Sequence, residues 1–204
     1  MISRFDEYLQ RYPKSDEAIE AAYLLAESLV RSAQILRQHL AKAETENARV
    51  ELRDRINQRL SAALDHLRNL QTFLSDLHRD DRLDRFGQRA LHDTYFEIAR
   101  VLFQMEKFDE AVEAYRAATY KYPDDPQVLL AYIQMAHCYS RLGKPAEARS
   151  LLEQARVILR DFPEEVFQSQ ASSLQAADWE QWIQWASQMH KFAEADTQRI
   201  GNIP

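Results

Sequence analysis

The sequence predicts an all-α fold built from antiparallel helix pairs. Three observations carry that expectation. Between Pro13 and Gly87 there is neither Gly nor Pro, and helices run that far without either residue while strands and turns rarely do. The same stretch is rich in Ala, Leu, Glu, Arg and Gln, the strong helix formers. Apolar residues recur three and four apart, which lines them along one helix face.

The first element is expected over residues 15–40. Ser15 is a candidate N-cap. It lacks a capping-box partner, because Ala18 stands where Glu or Gln is needed. Asp16 and Glu17 still favour a helix start, since carboxylates face the positive end of the helix dipole. Ile19, Ala22, Tyr23, Leu25, Ala26 and Leu29 follow at helical spacing. Residues 42–48 are polar and predict a turn, with Thr45 or Asn47 as the next cap. Leu52, Ile56, Leu60, Ala63, Leu64, Leu67, Leu70 and Leu74 then mark one long stripe, ending near Leu77. Residues 78–85 hold three Asp and three Arg and predict a solvated connector.

Beyond Gly87 the helices shorten, with expected spans of 89–105, 108–120, 126–142, 145–161 and 178–192. Gly143 suits a helix C-terminus, and Pro145 suits a first turn. Asp178 with Gln181 fits a variant of the capping box. The tail 198–204 is expected to fray, and no strand is expected anywhere.

Composition narrows the functional classes. Three Gly and six Pro are too few for a collagen-like or turn-rich all-β chain. The single Cys138 excludes an internal disulfide framework and a multi-Cys zinc site. A formal charge of -6 makes nucleic acid an unexpected partner. Arg49, Arg53, Arg55 and Arg59 are interrupted by Glu51 and Asp54, with no aromatic residue between them. They read as a solvated face with local ion pairs. No stretch approaches the roughly 18 apolar residues of a membrane span, and the N-terminus has no signal-peptide core. Localisation is cytoplasmic by default, or the cell envelope if the chain is part of a longer exported one.

Two segments repeat one another. Tyr95, Ile98, Ala99 and Leu102 match Tyr132, Met135, Ala136 and Tyr139. Phe108, Ala111, Tyr115 and Ala118 match Pro145, Ala148, Leu152 and Ala155. Small residues suit close helix approach, and large ones fill the space between pairs. This pattern resembles the tetratricopeptide repeat, with a period slightly above its usual value of about 34 residues. A third copy starts at Ala22, Leu25, Ala26 and Leu29 and continues through Ala63, Leu67 and Leu70, on helices several turns longer than the family norm. Aromatic-Pro pairs close helices at Tyr12-Pro13, Tyr122-Pro123 and Phe162-Pro163. By that logic residues 3–11 end a repeat whose first helix is missing, and the chain is expected to be a piece of a longer protein. The alternative is a stand-alone capping helix or a self-association surface. The segment around Tyr12-Pro13 and residues 22–27 also resembles bacterial envelope repeat proteins, including the outer-membrane assembly lipoprotein type. The expected organisation is a repeat domain over 1–177 (2–13, 15–77, 89–123 and 126–163) and a capping helix over 178–193.

The resemblance implies a right-handed superhelical solenoid whose first helices line a concave groove. Carried over by position, one row is Tyr23, Phe96 and Ile133, and the next is Glu27, Arg100 and His137. A third is Val30, Phe103 and Ser140, flanked by Arg31, Gln104 and Arg141. These would suit a peptide or helix with apolar anchors and some acidic character. The Lys/Asn clamp that some members use for a terminal carboxylate is absent. The alternative is that Tyr23, Phe96 and Ile133 pack against further helices. Trp179, Trp182 and Trp185, with Ile183, Met189 and Phe192, give the last helix a broad apolar face. It reads as a cap over the last repeat, or as a partner-binding patch.

Catalysis is not expected. The pairs Asp65-His66 and His92-Asp93 resemble those of metal-dependent phosphohydrolases only superficially, and neither they nor His78 with Asp80 and Asp81 have the spacing of a helical zinc motif. His137 and Cys138 are adjacent on a helix and so point about 100° apart. No cofactor and no metal are expected. The leading expectation is a non-catalytic protein-interaction scaffold. The alternatives are a structural spacer inside a larger protein and, behind it, a His/Asp hydrolase.

Overall fold

The computed structural model describes residues 16–163, 165, 167 and 175–201, with side chains described between 18 and 188. Helix is the only regular structure among the described residues. The helices are α1 (Asp16–Ala41), α2 (Glu46–Arg79), α3 (Arg85–Gln104), α4 (Phe108–Lys121), α5 (Gln127–Arg141), α6 (Pro145–Asp161) and α7 (Ala176–Gly201). Ser15 and the expected half-repeat over 2–13 lie outside the described residues. The chain divides into two compact units, Met1–Lys107 and Phe108–Pro204.

In the first unit, α1 and α2 form a long hairpin on which α3 packs. Thr45 caps α2, its hydroxyl oxygen accepting the Ala48 N–H at 3.3 Å. Seven of the eight expected stripe residues of α2 are buried, from Ile56 to Leu74, and Leu52 at the outer end is half-buried. Leu70 and Leu74 meet Ile19 of α1 and Ala90 and Leu91 of α3, with Tyr23, Phe73 and Tyr95 around them. Leu25, Leu29, Leu60, Leu74 and Leu102 are fully enclosed. Each such side chain stabilises the fold by about 1.5–3 kcal/mol. Arg37 of α1 donates to the backbone carbonyl of Gln104 and, at 3.4 Å, to its side-chain oxygen. A cation therefore sits on the negative end of the α3 dipole.

The connector before α3 is shorter than expected. Asp84 is the N-cap of α3, its carboxylate accepting the Gly87 N–H at 2.7 Å. Gly87 lies buried inside the first turn, where a Cβ would stand 2.6 Å from Leu83 Cδ2. It is a packing glycine and does not mark a boundary.

In the second unit, α4, α5 and α6 pack consecutively and α7 lies against α6 and α5. Ala136 of α5 and Ala148 of α6 are both completely buried, which allows close approach of the two helices. Pro145 occupies the first turn of α6, as expected. Helix α7 starts two residues earlier than expected and runs on through 198–201 to Gly201. Asp178 does not cap it. Its carboxylate reaches back to accept the Gln175 N–H at 2.8 Å, which is the reciprocal half of a capping box.

Three helices end in the same motif. After α2, the Asp81 N–H bonds to His78 O and the Arg82 N–H to Leu77 O; after α3, Glu106 bonds to Phe103 O and Lys107 to Leu102 O; after α5, Gly143 bonds to Ser140 O and Lys144 to Tyr139 O. Each is a Schellman closure, which needs a left-handed residue just past the helix. Asp81, Glu106 and Gly143 supply it, with φ of 56°, 59° and 71°.

Candidate functional site

Helical spacing places Tyr23, Ala26, Glu27 and Val30 on one stripe of α1. They line a cleft of about 160 Å³ with Leu67 of α2 and Glu97 and Arg100 of α3. The cleft lies wholly within the first unit. The Arg100 Nε donates to Glu97 Oε2 at 2.9 Å, and a second guanidinium nitrogen reaches the same oxygen. Burial raises the Glu97 carboxyl above its ordinary value against the opposing pull of Arg100. Burial also pushes the Tyr23 phenol up to about 12, reinforced by Glu97, Asp93 and Glu27. Asp93 is held by His92 Nδ1 at 2.8 Å. Arg31 pairs with Glu27 at 3.2 Å on the exposed side of α1, where such a pair contributes a few tenths of a kcal/mol.

The structure thus brings together Tyr23, Glu27, Val30 and Arg100 of the positions singled out in sequence, and adds Glu97. Phe103 and Gln104 are half-buried. Phe96 is 7% exposed and packs against His92, with ring centroids 5.1 Å apart and the rings tilted by 47°. It is not among the residues that line the cleft.

In the second unit, Ile133 is 9% exposed and belongs to a core with Leu129, Ala136, Leu152 and Leu159. His137 and Arg141 stand one turn apart on the exposed side of α5, and Ser140 is half-buried. Partial burial of the imidazole and then the Arg141 guanidinium hold His137 below its ordinary value. Arg141 lies 4.9 Å from the Phe108 ring centroid, a cation–π geometry.

A second cleft of about 260 Å³ escaped the sequence analysis. Arg116 of α4, Tyr132, Met135 and Tyr139 of α5, and Leu151 and Gln154 of α6 are among its walls. Arg116 donates to the Tyr139 hydroxyl at 2.7 Å, and Lys144 Nζ lies 5.8 Å from the same ring. The clue was the aromatic pair Tyr132 and Tyr139, about two turns apart beside cationic residues.

The tryptophans of α7 do not share one role. Trp179, Ile183 and Ala186 pack into the core with Leu152, Ala155, Leu159 and Phe167. Trp182 and Trp185 are 48% and 63% exposed, because steps of three and six residues rotate them off that face. Glu180 of α7 lies 3.6 Å from Arg156 of α6, and Ser187 lies 3.4 Å from it. The side chains of Met189 and Phe192 lie outside the described residues.

Reactive chemistry is poorly placed. Cys138 is completely buried, and burial raises its thiol to about 12, far from thiolate character at neutral pH. Among the described residues no group of three His, Cys, Asp or Glu side chains is arranged to hold a metal ion. Arg49 and Arg53 pair with Glu46, and Arg55 with Glu51. No helix among the described residues is long and apolar enough to cross a membrane.

The fold is that of an all-α helical-repeat protein with no strand among its described residues. Residues 90–161 match the tetratricopeptide repeat family, and that segment holds both copies of the clearest repeat. No curated protein matches the sequence. Among solved structures, the chain is similar to BtubC (BKLC) from P. vanneervenii at 15% identity and a TM-score of 0.42, over 100% of this chain and 91% of that one. It is also similar to a Podosopora anserina putative kinesin light chain with nearly identical TPR-like repeats, at 18% identity and a TM-score of 0.39, over 97% of each chain.

Proposed function

We propose that the chain is a non-catalytic scaffold that holds a peptide or helix of a protein partner. One observation carries the reading. The first-unit cleft gathers Tyr23, Glu27 and Arg100, from two helices, over an apolar floor. These are positions that the repeat resemblance marks for ligand contact. Arg31 and Phe103 extend the surface in the first unit, and His137 and Arg141 offer polar contacts in the second. Phe96 and Ile133 are buried and offer no contact surface.

The test is selection of a random peptide library on the immobilised full chain, repeated with Glu27→Ala and Arg100→Ala variants whose folding is checked by circular dichroism. Enriched peptides that both folded variants fail to capture support the reading. No enrichment, or enrichment unchanged in both variants, overturns it.

A second reading, a structural spacer within a longer protein, draws on the burial of Phe96 and Ile133. Two expected groove anchors are already occupied by the protein's own packing. Failure of the peptide selection favours this reading.

A further inference from the structure

We infer that the cleft between α1 and α3 takes one basic side chain of the bound peptide, of the lysine or arginine type. The inference rests on the scaffold reading for its biological context, but its evidence is local to the cleft. It reverses the acidic partner expected from the groove rows, because Glu97 changes the charge balance.

Size comes first. A cavity of about 150 Å³ holds one benzene molecule, so about 160 Å³ admits a single long side chain and no stretch of backbone. Wall chemistry comes second. Ala26, Val30 and Leu67 give an apolar lining, which suits the methylene stem of Lys or Arg while its charged head stays near polar groups.

Charge comes third. Glu27, Asp93 and Glu97 act on the Tyr23 phenol in the direction that disfavours a negative charge, and Arg100 alone opposes them. Burial, the largest cause of the raised Tyr23 phenol, disfavours charge of either sign; beyond it, the three carboxylates favour a cation over an anion. Arg31 pairs with Glu27 from the solvent side, 73% exposed, where water screens its charge.

Unclaimed acceptors come last. Both Arg100 contacts fall on Glu97 Oε2, so Glu97 Oε1 accepts no hydrogen bond from the described residues. Arg31 takes Glu27 Oε1 and leaves Oε2 open. An ammonium has three donors and a guanidinium five. Either can engage these carboxylate oxygens together with the Tyr23 hydroxyl. Charge-assisted bonds of this kind are about twice as strong as neutral ones.

The experiment titrates the full, isotope-labelled chain with Nα-acetyl-lysine N-methylamide, followed by NMR. Nα-acetyl-norleucine N-methylamide is the neutral control, and Nα-acetyl-glutamate N-methylamide the acidic one. The lysine probe should shift the amides of Tyr23, Glu27, Glu97 and Arg100 saturably in the millimolar range, and the controls should not. Glu97→Gln should weaken that binding about tenfold, the scale of one charge-assisted hydrogen bond. Glu27→Gln serves as the second variant if Glu97→Gln is misfolded.

Equal shifts with norleucine would reduce the cleft to an apolar pocket and overturn the inference. So would a preference for the glutamate probe, or no saturable shift with lysine. The peptide selection can succeed while this titration fails, and the reverse, so failure of the cleft assignment and failure of the scaffold reading are told apart.

Discussion

Helices α3 and α5 are equivalent members of two copies of one pattern, yet they stop on different residues. Past α5 the left-handed position is Gly143, with φ 71°. Past α3 it is Glu106, with φ 59°. The closing bonds nearly coincide: 3.0 and 3.1 Å after α3, against 3.0 and 2.8 Å after α5. A left-handed residue that carries a Cβ costs about 1–2 kcal/mol, and the repeat tolerates that cost at Glu106. The turn is therefore a property of how the helix ends, and glycine only makes it cheaper. The faces differ as well. Glu97 and Arg100 on α3 correspond to Gln134 and His137 on α5, so the ion pair of one copy is replaced by an amide and an imidazole in the other.

Six substitutions, two of them read against pH, test that comparison. The largest effect should come from the buried pair. Phe96→Ala should lose about 3–5 kcal/mol and Ile133→Ala about 2–5 kcal/mol, measured by urea denaturation of the full chain. A loss below about 1 kcal/mol at Phe96 would mean that its ring is a surface group, and the equivalence with Ile133 would break. Such losses also make Phe96 unsuitable as a binding-only variant.

Next come the helix ends. Glu106→Gly should gain about 1 kcal/mol and Gly143→Ala should lose about as much. Nothing lies within 4 Å of a Cβ added at Gly143, so that loss would report backbone conformation alone. Equal and opposite shifts in the same denaturation assay would sharpen the comparison, and no gain at Glu106 would break it.

The smallest effects should follow pH, with opposite signs in the two copies. Glu97 is raised above its ordinary 4.5. Its contribution is fully present below that value and is lost as pH rises through the folded-state value. Glu97→Gln should remove this loss. His137 is lowered from its ordinary 6.5. Its contribution is present above 6.5 and is lost as pH falls through the folded-state value. His137→Gln should flatten the curve on that side. Denaturation midpoints from pH 4 to 8 check both, and slopes of the same sign would contradict the assignment.

Much of this was legible in the residues. The α2 stripe from Ile56 to Leu74, the Thr45 cap, the Gly143 stop and the Pro145 start all follow from periodicity and capping chemistry. What escaped did so for definite reasons. Gly87 reads as a breaker, but here the absent Cβ makes room for Leu83. Glu106 carries no glycine to mark the stop. The tryptophans look like one face because spacings of three lie near a helical turn, yet only Trp179 shares the packing stripe with Ile183 and Ala186. Glu97 stands three residues before Arg100, the spacing of a helical ion pair, but the repeat pattern marks its neighbour Phe96 and not Glu97 itself. Tyr23, Glu27 and Arg100 were reachable through the repeat alignment. Their convergence depends on how α1 packs against α3, which no single-helix pattern contains.

The arrangement on α7 has an optical consequence. All three tryptophans of the chain lie on that one helix, with one indole enclosed and two in water. Indole emission therefore watches the second unit alone, and its red shift on unfolding should come chiefly from Trp179. Far-ultraviolet ellipticity sums over every helix of both units. A denaturation curve read at both wavelengths thus records one unit against the whole, with no label added.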